Sequence, residues 1–361
     1  MSDGGPSQTP EVSVLLAVHN GARYLEEALR SVMDQSLRDI EILAVDDAST
    51  DTSPDILKRL AREDSRIRIL TTPGNLRLAG ALNHGLDHAR APLIARMDDD
   101  DLSYPRRLEI QKAFMDAHPE ITLAGTSVDW LDDNAARTRQ SVRSRDSFAI
   151  RWTARFALNI THPTFMFRRV ATSGAPVRYD PAMHVGQDYD LTCRLLTEGN
   201  EVVCLPEVLL AFRRHGGSIS RKKGKDQLAL AKGVCERFQA HELPTGLYEA
   251  LKPMRDAFYD MKPLGPDGVR AVFAGARAML AHDLERHPDR ATWLRRQTAQ
   301  YAAWTLQRCG MPGRRVAAAF LRHAPDLLPA LGLRALETGG RLPARFSSDP
   351  PVWTNAASPS A

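Results

Sequence analysis

Two groups of aspartates dominate the chemistry open to this sequence: the pair Asp46-Asp47 and the uninterrupted run Asp98-Asp99-Asp100-Asp101. Carboxylates packed side by side raise one another's pKa and are costly unless something positive binds among them. Hard oxygen donors of this kind suit Mg²⁺ or Mn²⁺. Mg²⁺ typically takes one or two carboxylates and fills its remaining positions with phosphate and water. A divalent cation together with a nucleoside diphosphate is therefore the expected occupant. The plainer reading of the run alone is a solvated acidic loop capping a helix that starts near Tyr104-Pro105. Asp46-Asp47, followed by Ser49-Thr50, is likewise a competent capping sequence.

The elements around these clusters decide between the readings. Val12 to Val18 (VSVLLAV), Ile40 to Val45 (IEILAV), Ile67 to Leu70 and Leu93 to Met97 are short apolar runs without helical periodicity, as expected of strands buried on both faces. Between them lie helical spacings over Ala22 to Gln35 and Leu78 to Ala89. A further helix follows Asp51 or Ser53, either of which can cap it, with Pro54 in its first turn. Alternating strands and helices predict a doubly wound α/β domain, which places its ligand at the carboxyl ends of the strands. Both acidic clusters fall at such ends. Beyond residue 120, strands are expected over Ile121 to Val128, Phe165 to Phe167, Glu201 to Leu205 and Val208 to Phe212, and a helix over Tyr189 to Leu196. From about Lys225 the pattern turns helical, including Ala271 to Leu284 and Ala291 to Cys309.

Composition bounds the partners. The 361 residues are 43% hydrophobic and 25% charged, which excludes collagen-like, coiled-coil and wholly disordered chains. Four cysteines without a CxxC pair argue against a disulfide scaffold and for a reducing compartment. The polar start MSDGGPSQTP predicts no signal peptide, and no apolar run is long enough to span a membrane. A cytoplasmic location follows as an expectation. The net charge of +4 hides an asymmetry: residues 1–210 carry 24 basic and 31 acidic groups (−7), residues 211–361 carry 24 and 13 (+11). The basic part reads either as solvated helix faces or as a surface for the anionic inner leaflet of the cell membrane. No nucleic-acid recognition motif accompanies the charge.

VSVLLAVHN, Ser31-Val32 with Gln35, EILAVDDASTD and ALNHGLDHARAPLIARMDDDDLSYPRRLE together resemble the nucleotide-binding half of glycosyltransferase family 2, in order, over roughly residues 11 to 215. The resemblance implies a GT-A fold with a Rossmann-like mixed sheet flanked by helices. It implies transfer of a sugar from a nucleoside-diphosphate donor, UDP favoured, with inversion and with Mg²⁺ or Mn²⁺. The acceptor it implies is a hydroxyl of a saccharide or lipid-linked saccharide. Domain bounds follow: 11–220 for the GT-A domain, 221–343 for a helical region, and disordered ends at 1–10 and 344–361.

Residue by residue, the resemblance places Ala17, His19 and Asn20 on the wall of the nucleotide pocket. Asp47 bonds the base, Asp46 supports the loop, and Arg77 and Asn83 approach the nucleotide. Asp98-Asp99-Asp100 is similar to the DXD motif: Asp100 reaches the metal, and Asp98 or Asp99 contacts the ribose or shares the ion. Asp101 braces the loop. Gly186-Gln187-Asp188-Tyr189-Asp190-Leu191 resembles the segment that carries the catalytic base, which makes Asp188 that base, although Gln187 stands where the family has glutamate. The bland alternative for Asp188 is a carboxylate at a helix N-terminus. His215, in Arg213-Arg214-His215-Gly216-Gly217-Ser218, is a further metal ligand or a structural histidine. Arg213 and Arg214 are alternative contacts for the diphosphate. His162 and Gln187 fall where the family binds the acceptor, and Trp130 and Trp152 are either sugar platforms or core. A sugar nucleotidyltransferase is disfavoured because AVHNGARY holds one glycine where that class has a Gly-rich phosphate loop. A catalytically impaired nucleotide-sugar-binding scaffold is the other alternative.

Overall fold

The computed structural model describes residues 9–141, 145–158, 160–215 and 224–331. The expected disordered ends lie outside these residues except for Thr9 and Pro10. Contacts divide the chain into two compact units that meet in sequence at Gln227-Leu228.

In the first unit, β1 (Val12–Val18), β2 (Ile40–Asp46), β3 (Ile67–Thr71) and β4 (Leu93–Met97) form parallel ladders. The helices α1 (Leu25–Met33), α2 (Ser53–Glu63) and α3 (Arg77–His88) connect them. The apolar runs are strands for the reason given by their composition: β1, β2 and β4 are almost wholly buried. The remainder of the sheet is β5 (Leu102–Ser103), β6 (Ile121–Leu131), β7 (Arg137–Ser141), β8 (Met166–Arg168) and β9 (Glu201–Arg213). Strand order is β3-β2-β1-β4-β8-β6-β9-β5, with β7 on β6. β8 runs antiparallel to both β4 and β6, so the sheet is mixed rather than uniformly doubly wound.

Three departures from the sequence reading have local causes. Residues 201–205 and 208–212 are one strand, because β6 stays paired with β9 while the register slips from Thr126–Leu205 to Ser127–Val208. Pro206, which has no N–H to give a ladder, falls in that bulge. β7 escaped notice because Arg137-Thr138-Arg139-Gln140-Ser141 is a polar strand with no buried face. Asp51 does not cap α2: its carboxylate accepts from the backbone N–H groups of Ser53 and Ala22, tying the β2 loop to the β1 loop. The remaining helices of this unit are α4 (Arg107–Ala117), α5 (Ser147–Ala154) and α6 (Gln187–Thr197).

Register pairs Val18 with Asp46 and Leu16 with Met97, so the loops that follow β1, β2 and β4 leave the same edge of the sheet. At the opposite edge Glu41 is buried and accepts four hydrogen bonds from three residues. It accepts from the Ser13 hydroxyl at 2.6 Å, the Arg90 N–H at 2.8 Å, Arg90 Nε at 2.9 Å and Arg68 Nη1. Burial alone would raise its pKa, but these bonds outweigh it and hold the carboxyl below its ordinary value.

The second unit is helical: α7 (Gly224–Glu242), α8 (Thr245–Asp260), α9 (Pro266–Arg286), α10 (Ala291–Arg308) and α11 (Gly313–His323). Its core includes Phe238, Leu251, Phe258, Phe273, Tyr301 and Leu306. At Gly275 a Cβ would meet the Ala250 carbonyl oxygen at 2.8 Å, so α9 and α8 approach closely only because that side chain is missing.

Glu41→Gln is expected to lower stability by about 1–3 kcal/mol at pH 7. Because the folded pKa lies below the unfolded one, the deficit is complete above pH ~4.3 and disappears as pH falls through the folded value. Chemical denaturation at two pH values measures both.

Candidate active site

The loops at the carboxyl edge are built largely from side-chain to backbone bonds. Asn20, with φ of 57°, turns the chain after β1, and its carboxamide oxygen accepts from Thr50 and Asp51 N–H at 2.7 and 3.3 Å. His19 Nδ1 donates to the Asp47 carbonyl at 2.7 Å, leaving Nε2 to accept from the Asn75 amide at 3.0 Å. Asp46 accepts from Ser49 N–H at 3.1 Å. Asp47 is buried, and its Oδ1 accepts from Leu76 N–H at 2.7 Å and the Thr72 hydroxyl at 2.9 Å. Three strand ends and the start of α3 are thereby tied into one rim. Ala17 lies on β1 beside Val45, and Arg77, exposed with φ of 61°, opens α3. Asn83 does not reach this rim: its amide bonds both the N–H and the carbonyl of Tyr179, at 3.0 and 2.8 Å.

The aspartate run begins where β4 ends. Carboxylate oxygens of Asp98, Asp100 and Asp101 lie within 4.8 Å of one another. Asp99 is not part of that group; its Oδ2 lies against Gly21, where a Cβ would collide with it. Burial, then the neighbouring charges of Asp100 and Asp98, push Asp99 and Asp101 well above the usual carboxylate range. Asp100 is raised by burial and by Asp98, and lowered in part by His215, whose Nε2 donates to its Oδ2 at 2.8 Å.

Three arginines stand behind the run. Arg96, in β4, is fully buried; one amino group binds Asp98, while Nε and Nη1 have no partner among the described residues. Arg107 donates to the Arg96 carbonyl at 2.7 Å, and its pKa falls to about 9 through burial and the Arg96 charge. Arg213 donates its N–H to Asp101 Oδ1 at 2.8 Å, its Nε to the Asp100 carbonyl at 2.9 Å and its Nη2 to Glu27 at 2.7 Å. That guanidinium also covers the Tyr24 ring at 4.6 Å, and Arg214 and Arg139 cover Trp130 at 5.4 and 4.8 Å. Trp152 is core. Residues 216–218 lie outside the described residues.

His162, Tyr179 and Asp188 also lie within the electrostatic reach of Arg96. His162 Nε2 lies 2.9 Å from the Tyr179 hydroxyl. Burial, then the Arg96 charge, depress His162 so far that it is neutral at physiological pH. Burial raises Asp188, opposed by the Tyr189 N–H and by Arg96. Asp188 is the second residue of α6, and Gln187 beside it is buried. Sequence reasoning missed Arg96 and Tyr179. The available signal was a lone cation inside the buried strand Leu-Ile-Ala-Arg-Met, which is costly without a partner.

The donor set suits a hard divalent cation. Asp98, Asp100 and Asp101 converge, burial raises the pKa of Asp100 and Asp101, and buried Asp101 Oδ2 has no hydrogen-bond partner among the described residues.

A fold of this kind is shared with known proteins. A family model described as Glycosyl transferase family 2 matches residues 13–173. The chain is 33% identical over 263 residues to the glycosyltransferase EpsE of Bacillus subtilis, covering 71% of this chain and 88% of that one. It is 31% identical over 220 residues to the amylovoran biosynthesis glycosyltransferase AmsE of Erwinia amylovora, covering 59% and 79%. Its fold is similar to residues 1–349 of S. aureus TarS in complex with UDP-GlcNAc, with a TM-score of 0.57, 16% identity, and 86% and 92% of the two chains covered. The chain belongs to glycosyltransferase family 2 and is a glycosyltransferase of the GT-A fold.

Asp101→Asn keeps an oxygen for the Arg213 N–H and removes a charge that burial disfavours. In EDTA at pH 7.5 the variant is expected to be more stable than the parent by about 1–3 kcal/mol. Since the folded pKa of Asp101 is raised, the gain is complete above that value, shrinks as pH falls below it and is gone below the unfolded carboxylate value of about 3.9. Mn²⁺ is expected to stabilise the variant less than the parent. Thermal unfolding with EDTA or Mn²⁺ reads both effects.

Proposed function

We propose that this glycosyltransferase moves a sugar from a nucleoside-diphosphate donor, UDP-linked in the first instance, to a hydroxyl of a saccharide or lipid-linked saccharide during polysaccharide assembly, with inversion at the anomeric carbon. The observation that carries this reading is the placing of the convergent carboxylates Asp98, Asp100 and Asp101 and the partly exposed Asp188 around one buried arginine. The names of EpsE and AmsE support the reaction class and the polysaccharide setting. The UDP-GlcNAc of TarS supports the donor class.

In this reading the rim of His19, Asn20, Asp46, Asp47 and Arg77, with Ala17 beneath, receives the nucleotide. Asp98 and Asp100 would hold Mg²⁺ or Mn²⁺, and His215 orients Asp100 through its hydrogen bond. When bound, the cation neutralises charge on the departing diphosphate. Asp188 accepts the acceptor's hydroxyl proton as that oxygen forms its bond to the anomeric carbon. The bond from that carbon to the phosphate oxygen breaks on the opposite face, and the diphosphate leaves with the electron pair. The Tyr189 N–H and the Arg96 charge oppose the upward pull of burial on Asp188. Neutral His162 and Gln187 offer uncharged hydrogen-bonding groups to the acceptor, so they do not compete with Asp188 for the proton. Asn83 acts from behind, holding Tyr179 against His162.

Calorimetric titration with UDP, GDP and dTDP, each with and without Mn²⁺, tests the site. One diphosphate is expected to bind tightly and only with metal; binding of none by folded protein refutes the donor reading and favours a non-catalytic scaffold. Asp100→Ala is expected to remove the Mn²⁺ dependence and weaken the diphosphate at least tenfold, a loss on the scale of one charge-assisted contact. Asp188→Asn is expected to lower turnover by about 10²–10⁴-fold while donor affinity stays within about twofold. Full activity in that variant removes Asp188 as the base. Because Asp188 must be ionised to accept the proton and its pKa is raised, turnover falls with decreasing pH at a point above the ordinary carboxylate value of about 3.9.

A further inference from the structure

From residue 291 to residue 325 the chain has no Asp or Glu and six arginines: Arg295, Arg296, Arg308, Arg314, Arg315 and Arg322. Arg308 is accounted for internally, since it donates to the Phe258 carbonyl at 2.6 Å and lies over the Phe258 and Trp304 rings at 4.6 and 5.6 Å. The three on α11 are different. That helix buries Val316 and Phe320, with Phe320 edge-on to Phe273 at 4.7 Å. Its opposite face exposes Arg314, Arg315, Ala318, Leu321 and Arg322. The spacing i, i+1, i+4, i+7, i+8 gathers these five into an arc of about 120°.

Neither the charge nor the apolar content of this face is answered within the unit. Arg314, Arg315 and Arg322 have no ion-pair partner among the described residues, and the nearby Asp326 is already paired with Arg277 at 2.5 Å. Leu321, at 62%, is the most exposed large hydrophobic side chain among the described residues. A surface that satisfies the face must be anionic at one depth and apolar just beneath. A phospholipid headgroup layer over acyl chains has that profile: guanidinium groups bind phosphates while their stems and a central leucine enter the boundary. A nucleic acid satisfies the arginines but offers Leu321 nothing, and this face carries no aromatic ring on which a base can stack.

We propose that the exposed face of α11 docks the protein on a membrane surface that carries anionic phospholipid. This goes beyond the transfer reaction and does not depend on it.

The test is co-sedimentation of the full chain with vesicles of phosphatidylglycerol in phosphatidylcholine, against phosphatidylcholine alone, at low and raised salt. Dextran sulfate serves as a soluble polyanion for comparison. The protein is expected to bind only the anionic vesicles and to be released by salt. Replacing Arg314, Arg315 and Arg322 together with Glu is expected to weaken vesicle binding by at least about tenfold, since each basic residue at the surface contributes to attraction. Leu321→Gln is expected to weaken vesicle binding and leave dextran sulfate binding unchanged. Unaltered unfolding temperature and unaltered diphosphate binding show that the variants remain folded with an intact donor site. Absence of binding to anionic vesicles overturns the proposal, as does full binding by the triple variant. Equal loss on vesicles and dextran sulfate in the triple variant, with no effect of Leu321→Gln on either, identifies a general polyanion surface and overturns the lipid assignment.

Discussion

Four consecutive carboxylates sit at the end of a buried parallel strand, and the surrounding structure is arranged to make that tolerable. Left alone, burial and mutual repulsion would protonate them or push the loop into solvent. The counterweight is a set of guanidinium groups placed behind the run and away from the rim. Arg96 enters from inside β4, Arg107 supports it from α4, and Arg213 returns from the end of β9 to bond the backbone and side chain of the run itself. Gln111 extends the support, bonding Arg107 at 2.9 Å and the carbonyls of Ala124 and Thr164 at 3.1 and 2.8 Å. The mixed half of the sheet therefore serves to hold the charges of the parallel half in place.

The same dependence explains Ser31 and Gln35 at the end of α1. The Ser31 hydroxyl accepts from Ser103 N–H at 3.0 Å. Gln35 donates to the Tyr104 carbonyl at 2.8 Å and accepts from Leu108 N–H at 3.0 Å. A helix distant in sequence thus fixes the segment that carries the chain away from the aspartates. With both ends anchored, the run cannot relieve its repulsion by moving outward, and its charge is met instead by protonation or by a cation.

The parallel half was legible because buried strands have a composition that no other element matches at that length, as in VSVLLAV and LIARM. Asp98 to Asp101 could be placed at a strand end from the pattern alone. The mixed half was less legible: β5 has two residues and β7 is polar, although the short strand expected over Phe165 to Phe167 is present as β8, shifted by one residue. Strands of that kind are fixed by their neighbours more than by their own sequence. The site divides in the same way. Aspartates in a row announce themselves, whereas the placing of Arg96 beside His162, Tyr179 and Asp188 depends on chain returning from far along the sequence. The partnership of Asn83 with Tyr179 spans 96 positions and leaves no local trace.

Hydrogen-bond satisfaction separates the residues that shape the site from those that retain capacity for chemistry. Asn20, His19 and Oδ1 of Asp47 are occupied by the protein itself, so they set the form of the rim, while Asn83 is spent on Tyr179. Among the described residues of the site, unmet capacity lies in Asp101 Oδ2 and in Nε and Nη1 of Arg96. Native proteins rarely leave buried polar atoms without partners, and where they do, the region is usually one whose contacts are completed by something else. Here those atoms belong to the aspartate run and to the arginine that binds it. Rigidity at the rim and unmet electrostatic demand beneath it are the combination expected of a site organised before its ligand arrives, because neither the loops nor the charges then need to be reordered on binding.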